Sequence, residues 1–403
     1  MVFGRCASVV VLLLFLPGVR AGAQDREDIA ELREALKAQQ ALNEALMKRL
    51  EAVEAGQAAL LEKLQTLDAS PRDEEEIQEE DRAMIEELRE EYFDLQDRLD
   101  RMPTLSGYYD VEYFNDDRSD SPGEFRQHHV SLHISREWER WRLFSESEFE
   151  YGGKFEGDGG TALEEARGEV KLEQAWGEYL HSDALTLRGG LILTPGYWNV
   201  RHYPNVVLST RRPLMVRNVF REAFVGMMGY GAKYWDELGV TYYGYVGNGQ
   251  SVFFPKHDDN EGKAVGGKVT LHLPTKGRFD TLDVGLSFYQ ESPSGAQRNL
   301  TLGVDAQVRK GPWELLTEFA MRDAEKDRTG FYLQPSYRFN EKWATFYRYD
   351  LLFVRHVDET QEHTLGLNFR PIPDVSLKLE YFYSRHSRGE DFSGVATSLA
   401  IRF

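Results

Sequence analysis

An alternation of apolar and polar residues runs through the chain from Thr104 to its end and constrains the fold more than any other feature. From residue 282, for example, Leu, Val, Leu and Phe take every second position, with Asp, Gly, Ser and Tyr between them. A period of two is typical of a β-strand with one apolar and one polar face. Together with the Gly, Pro and Asn breaks, it predicts sixteen strands within residues 104–403, the fourteenth at 362–369.

The connections between the predicted strands alternate in length. Short ones lie at 182–184, 311–312 and 340–342, and long ones at 115–124, 152–167, 194–221 and 248–263. A soluble β-sandwich has no reason to collect its short turns at one end, whereas an outer-membrane barrel has short periplasmic turns and long outer loops. A sheet in hydrocarbon must also close, because every backbone group there needs a partner. The sequence therefore predicts a transmembrane antiparallel β-barrel of about sixteen strands, with its apolar faces outward.

Aromatic residues mark one end of this predicted barrel. Five of the seven tryptophans fall at or beside the short turns: Trp138, Trp141, Trp235, Trp313 and Trp343. Indole rings prefer the membrane interface, so we expect an aromatic girdle at the periplasmic rim. The last strand alternates apolar residues and ends on Phe403. It resembles the terminal recognition strand of bacterial outer-membrane proteins, which implies that the barrel-assembly machinery is a partner.

The N-terminus predicts export. Mean hydropathy is -0.52, a polar average that argues against a bundle of transmembrane helices, which would need several apolar runs of about 20 residues. One apolar run, residues 9–16, follows Arg5 and precedes the small residues 21–23. This pattern predicts a cleaved signal peptide over residues 1–23, because the run is too short to be a membrane anchor. The only cysteine, Cys6, lies within it, so the mature chain would contain no thiol.

Residues 24–103 carry a different period. Apolar and amide residues recur at steps of three and four from residue 29 to residue 67, and the pattern resumes at residue 85. This spacing predicts a periplasmic coiled coil ahead of a barrel at 104–403. The segment has 11 Lys and Arg against 24 Asp and Glu, a difference of -13 within a total of -19. Such acidity is usual for a solvated helix face, although contact with the cell wall stays open.

The longest connection, residues 194–221, is basic in an otherwise acidic chain. It contains no Asp or Glu and five arginines: Arg201, Arg211, Arg212, Arg217 and Arg221. Inside a narrow passage, fixed guanidinium groups raise the local anion concentration. We therefore expect these arginines, with Arg188 and Lys233 at inward positions, to form an anion-binding pore constriction. The alternative left open is that individual arginines pair with lumen carboxylates such as Glu146 or Glu318.

The stretch from residue 188 to residue 214, followed by GYVGNG at 244–249, resembles the phosphate-selective porin O and P family. The resemblance covers roughly residues 104–403. It implies a trimeric sixteen-stranded channel for small anions such as phosphate, embedded in outer-membrane lipid of a Gram-negative bacterium, with a basic constriction. The inward positions of this chain mix basic residues with many carboxylates, which is a departure from that family's row of lumen arginines.

Other chemistry has weaker support. His128, His129 and His133 could indicate a metal site, but residues four apart on a strand are separated by about 13 Å, too far to share one ion. Acidic residues 258–262 lack the spacing of a calcium loop. We expect no metal, cofactor, nucleic acid or enzymatic activity. Two further alternatives stay open, a general-diffusion porin and a structural barrel tethered to the envelope by its coiled coil.

Overall fold

The computed structural model describes residues 86, 89–94, 102–118, 123–150, 169–249, 261–292, 298–324 and 327–403. The chain divides into two compact units, residues 1–99 and 100–403. In the first unit the described residues are helical. No helix among the described residues is long and apolar enough to cross a membrane. The predicted signal peptide (1–23) and the heptads at 29–67 lie outside the described residues.

The described part of the second unit contains sixteen β-strands of 9 to 15 residues, the number that the alternation predicts. Their bounds are β1 (Thr104–Asp116), β2 (Glu124–Trp138), β3 (Trp141–Glu150), β4 (Glu169–Ser182), β5 (Leu185–Leu193), β6 (Ala223–Trp235), β7 (Leu238–Asn248), β8 (Lys263–His272), β9 (Thr281–Glu291), β10 (Asn299–Lys310), β11 (Trp313–Asp323), β12 (Arg328–Arg338), β13 (Trp343–Val354), β14 (Asp358–Ile372), β15 (Val375–His386) and β16 (Phe392–Arg402).

The strands form one closed antiparallel barrel in which each strand pairs with its neighbours in sequence and β1 pairs with β16. At this seam Phe403 and Gly107 exchange two backbone hydrogen bonds of 3.0 and 2.9 Å. The Phe403 ring lies against Gly107, where a Cβ would stand 2.8 Å from it. The C-terminal aromatic residue thus covers a glycine at the closure, and the barrel has no exposed edge there.

The two faces of the wall differ as the alternation predicts. On β15 the inward residues, including Lys378, Glu380 and Ser384, are buried, whereas Leu377 and Leu379 on the outer face are 41% and 51% exposed. Exposed apolar side chains on the outer face suit hydrocarbon, and polar side chains turn toward the interior. The five tryptophans named above are exposed at the ends of strands joined by short turns.

Strand β14 is longer than predicted. The alternation indicates residues 362–369, but β14 spans Asp358–Ile372 and pairs with β13 as far as Asp358. Residues 358–361 are Asp, Glu, Thr and Gln, which give no apolar alternation. Their backbone groups nevertheless continue the ladder above the apolar band, because strand pairing requires only hydrogen bonds there.

Candidate functional site: a basic segment across the lumen

The connection between β5 and β6 folds into the barrel. We call residues 194–222 the lumen segment. It contains a 3-10 turn, Asn199–Arg201, and one short helix, α1, at Leu214–Asn218. Pro213 precedes α1, as suits a residue with a fixed φ and no N–H to donate at a helix start. The segment's partners are inward-facing residues of the barrel wall.

Buried carboxylates of the wall bind the segment's backbone. Glu318 of β11 accepts hydrogen bonds from the Tyr197 and Trp198 N–H groups at 3.2 and 3.0 Å. Glu380 of β15 accepts the N–H groups of Thr210 and Arg211, and Asp350 of β13 accepts that of Leu214 at 3.0 Å. A carboxylate that accepts backbone N–H groups forms charge-assisted hydrogen bonds, which are stronger than neutral ones. These contacts fix the path of the segment.

Basic wall residues bind its carbonyl groups. Arg348 of β13 is fully buried, forms a 2.6 Å ion pair with Asp350, and donates to the Ser209 hydroxyl and the Arg211 carbonyl at 3.0 and 2.9 Å. Lys378 of β15 donates to the Ser209 carbonyl at 3.0 Å. The wall therefore supplies both donors and acceptors to a stretch of backbone that has no secondary structure of its own, as buried backbone groups require.

An apolar cluster lies between the segment and β11–β13. Its buried members are Trp198, Leu214, Met215, Val219, Ala320, Tyr332 and Leu352. Burying one such large side chain contributes about 1.5–3 kcal/mol. Gly330 of β12 allows α1 to approach this closely, because a Cβ there would lie 2.7 Å from the Met215 side chain. Hydrophobic packing and hydrogen bonds thus hold the segment to the same wall.

The segment also reaches the opposite wall. The Tyr203 hydroxyl donates to Glu146 of β3 at 3.2 Å and accepts from Gln174 of β4 at 3.0 Å. Between residues 197 and 214, hydrogen bonds to the wall reach β3, β4, β11 and β13–β16, and none joins the described residues of β7–β10. The segment therefore crosses the lumen and is bound at both sides.

Three of the predicted anion-binding residues have carboxylate partners. Arg211 pairs with Glu362 of β14 at 2.6 Å, Arg212 with Glu222 at 2.7 Å, and Arg188 of β5 with Glu178 of β4 at 2.8 Å. Arg188 also stacks on the Trp176 ring at 3.7 Å, and Arg211 on that of Phe382 at 3.7 Å. These three arginines are therefore paired with carboxylates, which is the alternative to anion binding that the sequence left open.

Arg201 and Arg217 differ, because both are exposed and have no carboxylate partner among the described residues. Arg201 lies 4.1 Å from the Tyr197 ring centroid and donates to the Tyr197 carbonyl. Arg221 donates to the Ala223 carbonyl at 3.2 Å. Burial and the charge of Arg212 lower the pKa of His202 below its ordinary 6.5, so its ring is neutral at pH 7. In the part of the chain that the structure describes, Arg201 and Arg217 are thus the two arginines of the lumen segment that neither form an ion pair nor donate to a residue outside it.

Lys233 is not an inward residue. It lies on the same face of β6 as the exposed Met227 and Trp235, and its ammonium group stands 5.1 Å from the Trp235 ring centroid. The inward face of β6 carries Met228 and Tyr230 instead, since the Tyr230 hydroxyl donates to Glu178. The prediction for Lys233 was wrong by one residue of register, which exchanges the two faces of a strand. A lysine beside an interfacial tryptophan extends its charge toward water.

A second basic region was missed by sequence reasoning. A cavity of about 570 Å³ beside the end of the lumen segment is lined by five cationic and two carboxylate residues: Lys171, Arg217, Arg221, Arg322, Arg328, Glu173 and Glu222. Arg322 pairs with Glu291, and Arg328 donates to the Asn218 carbonyl at 2.8 Å. Lys171, Arg322 and Arg328 come from three strands, so only the barrel register brings them together. Their common signal is a basic residue at the long-connection end of a strand.

Solved outer-membrane proteins have the same architecture at low sequence identity. An anion-selective porin from Comamonas acidovorans matches with a TM-score of 0.56 and 14% identity over 75% of this chain and 99% of that chain. OmpT, an outer membrane protein of Vibrio cholerae, matches in its trimer form with a TM-score of 0.51 and 11% identity over the same shares. The loop L8 deletion mutant of OmpT matches with a TM-score of 0.52 and 11% identity over 75% of this chain and 99% of that chain. The chain has the fold of an outer-membrane porin.

No protein-family model matches the sequence, and no curated protein matches it either. The resemblance to the phosphate-selective porin O and P family therefore stays a prediction from residues 188–249. The solved structures share a fold with this chain, and at these identities a shared fold does not carry a solute preference with it.

Proposed function

We propose that the chain is a passive outer-membrane channel for small anionic solutes, constricted by the lumen segment. The observation that carries this proposal is the position of Arg201 and Arg217. Both belong to a segment held across the lumen, and neither has a carboxylate partner among the described residues. A selective channel has no catalytic step and needs only an open passage and an electrostatic field that attracts its solute. Fixed guanidinium groups in a narrow passage supply such a field for anions.

The contacts of the segment indicate where solutes would pass. Because residues 197–214 are bound to β3, β4, β11 and β13–β16, the remaining opening lies along β6–β10. Tyr230 and Tyr243 stack on this wall with ring centroids 5.6 Å apart. An anion entering through the basic cavity would meet Arg217 first and Arg201 further along. Guanidinium groups bind carboxylate and phosphate oxygens in pairs, which favours such solutes over chloride.

Location and assembly follow from the same proposal. An apolar outer face, a rim of tryptophans and the predicted signal peptide favour the outer membrane, with Phe403 presented to the barrel-assembly machinery. A homotrimer is proposed from the resemblance of the sequence and from the trimer form of OmpT. The predicted coiled coil would lie in the periplasm, where contact with the cell wall would tether the barrel.

Reversal potentials in a salt gradient across a planar bilayer test the selectivity. The protein should prefer anions, and the double variant Arg201→Gln with Arg217→Gln should lose most of that preference. The effect should weaken as salt rises, because the Debye length falls from ~10 Å at 0.1 M to ~3 Å at 1 M. Arg211 and Arg212 are poor choices for this test, since each holds a carboxylate partner.

Lys233→Gln is the matched control. It removes one positive charge from the outward face of the wall, where each substitution of the double variant removes one from the lumen, so the reversal potential should not change. A protein that prefers cations, or a double variant with unchanged selectivity, would favour the general-diffusion alternative. If the protein forms no channel at all, the remaining alternative is a structural barrel that its coiled coil tethers to the envelope.

A further inference from the structure

A β-bulge in β2 brings two histidines to the inner wall. Asp110 of β1 pairs with His129, but Val111 pairs with Gln127, so His128 is the extra residue. Such a bulge reorients side chains locally. As a result the imidazole groups of His128 and His129 both contact Asp110, at 3.3 and 2.8 Å. On the other side of His129, Glu150 of β3 is its direct cross-strand partner and Glu148 is the diagonal one.

Asp110 fixes the orientation of the His129 ring. The Nδ1 atom of His129 lies 2.8 Å from Asp110 Oδ1. An ionised carboxylate can only accept a hydrogen bond, so Nδ1 must carry the proton. A histidine whose Nδ1–H is bound to a carboxylate presents Nε2 on the other side of the ring. This is the usual arrangement of a metal-binding histidine and its supporting carboxylate.

The Nε2 atom of His129 points at two carboxylates and has no hydrogen-bond partner among the described residues. Glu148 Oε1 and Glu150 Oε1 each lie 3.7 Å from it. The His129 side chain is only 5% exposed, Glu148 is 1% exposed and Glu150 is 14% exposed. A buried nitrogen without a hydrogen bond is costly, and a ligand bound there would remove that cost.

We propose that His129, Glu148 and Glu150 bind a divalent transition-metal cation of the Zn²⁺ type. All three ligand atoms lie within 4.8 Å of one another. Two ligands about 2.1 Å from a tetrahedral ion stand about 3.4 Å apart, so the 3.7 Å separations need to shrink by only a few tenths of an ångström. One imidazole nitrogen and two carboxylate oxygens suit Zn²⁺ and leave a fourth position for water or an anionic solute.

Neighbouring groups set the affinity of this site. Lys171 of β4 donates to both oxygens of Glu150 at 3.0 Å, and the Tyr108 hydroxyl donates to Glu148. Lys171 is therefore a competitor that must give up one oxygen when a cation binds. Asp110, Glu148 and Glu150 surround His129 with negative charge, which favours a divalent ion. The bound ion would add positive charge to the lumen wall without using the lumen segment.

Isothermal titration of Zn²⁺ into chelator-treated full-length protein tests the proposal, using protein purified in detergent without a histidine tag. We expect one ion per chain. His129→Gln and Glu150→Gln should each weaken binding by about 100-fold or more, and Asp110→Asn by about 10- to 100-fold through the orientation of the ring. Glu150 is the most exposed of the three ligands, so Glu150→Gln should disturb folding least. It therefore tests the site even if His129→Gln fails to fold.

Two further variants distinguish binding at this specific site from a general attraction of cations to the acidic residues of the chain. Lys171→Gln should tighten Zn²⁺ binding, because it frees Glu150. His133→Gln should leave binding unchanged, since His133 Nε2 already lies 3.0 Å from Glu146 and stands outside the proposed ligand set. Absence of binding, or equal binding by the protein and its His129→Gln and Glu150→Gln variants, would overturn the site. Because titration in detergent involves no ion flow, this result is independent of the proposed selectivity.

Discussion

The wall formed by β11–β16 and the wall formed by β1–β4 both bury carboxylates, yet these carboxylates have different partners. Glu318, Asp350 and Glu380 on the first wall accept backbone N–H groups of the lumen segment. On the second wall, Asp110 accepts the Nδ1–H of His129, whose ring faces Glu148 and Glu150 on its other side. A buried carboxylate needs donors from somewhere. Where the lumen segment supplies them the carboxylate anchors that segment, and where a histidine supplies them the carboxylate orients the ring toward the candidate cation site.

Removing the main anchor of the first wall should have the largest effect. Arg348→Met leaves Asp350 buried without its ion-pair partner and removes the donors to Ser209 and to the Arg211 carbonyl. Breaking a buried pair from one side costs about 3–5 kcal/mol. We expect a lower unfolding temperature and a larger single-channel conductance, because the segment is released from the wall.

The same substitution at Arg402 is the control. Arg402 pairs with Asp374 at an exposed position near the β14–β15 turn. Arg402→Met should change neither conductance nor unfolding temperature by much, since exposed pairs contribute little. An Arg348→Met channel with the conductance of the unmodified protein would show that β11–β16 do not hold the segment in place.

A smaller effect is expected at the contact between α1 and β12. Gly330→Val would place methyl groups against Met215, where even a Cβ is too close. Overpacking of this kind costs about 1–3 kcal/mol, so α1 should shift and the conductance should rise less than in Arg348→Met. Gly244→Val is the control, because a Cβ at Gly244 has no neighbour within 4 Å. Equal conductance changes in both glycine variants would contradict the close packing of α1.

The smallest predicted effect concerns pH. The pKa of His202 is below its ordinary 6.5, because the ring is buried and Arg212 is near. As the pH falls through about 6.5, the unfolded chain takes up the proton first, so this contribution to stability is complete above that pH and declines below it. Thermal unfolding between about pH 7.5 and pH 5.5 should therefore be less pH-dependent in His202→Gln. An unchanged pH profile would contradict a buried neutral ring.

The sequence predicted the barrel well because its information is local. Alternation over about ten residues indicates a strand, and Pro, Gly and Asn mark its ends. It failed where a face is decided by register, as at Lys233, or where a ladder continues through polar residues, as at the start of β14. One residue of slip exchanges the two faces, and near the ends of a strand the pattern is too short to prevent this error.

The candidate site was predicted only in part. An acid-free loop with five arginines was visible in the sequence, but which of them are paired depends on residues far along the chain, such as Glu362 beside Arg211. The histidines show the same limit. Considered along one strand, His129 and His133 are too far apart for one ion, whereas the proposed ligands of His129 come from β3 through cross-strand pairing. Contacts between distant parts of the sequence need the register of the whole sheet.

Labelling of single cysteines during single-channel recording tests the central claim most directly. The only natural cysteine is Cys6, in the predicted signal peptide, so Arg217→Cys or Arg201→Cys would give the mature chain one thiol. A bulky water-soluble thiol reagent should then reduce the conductance in one step per channel. The same reagent on Lys233→Cys, at the outer face, should leave the current unchanged. Unaltered current in the labelled Arg217→Cys and Arg201→Cys channels would contradict a lumen segment that constricts the passage.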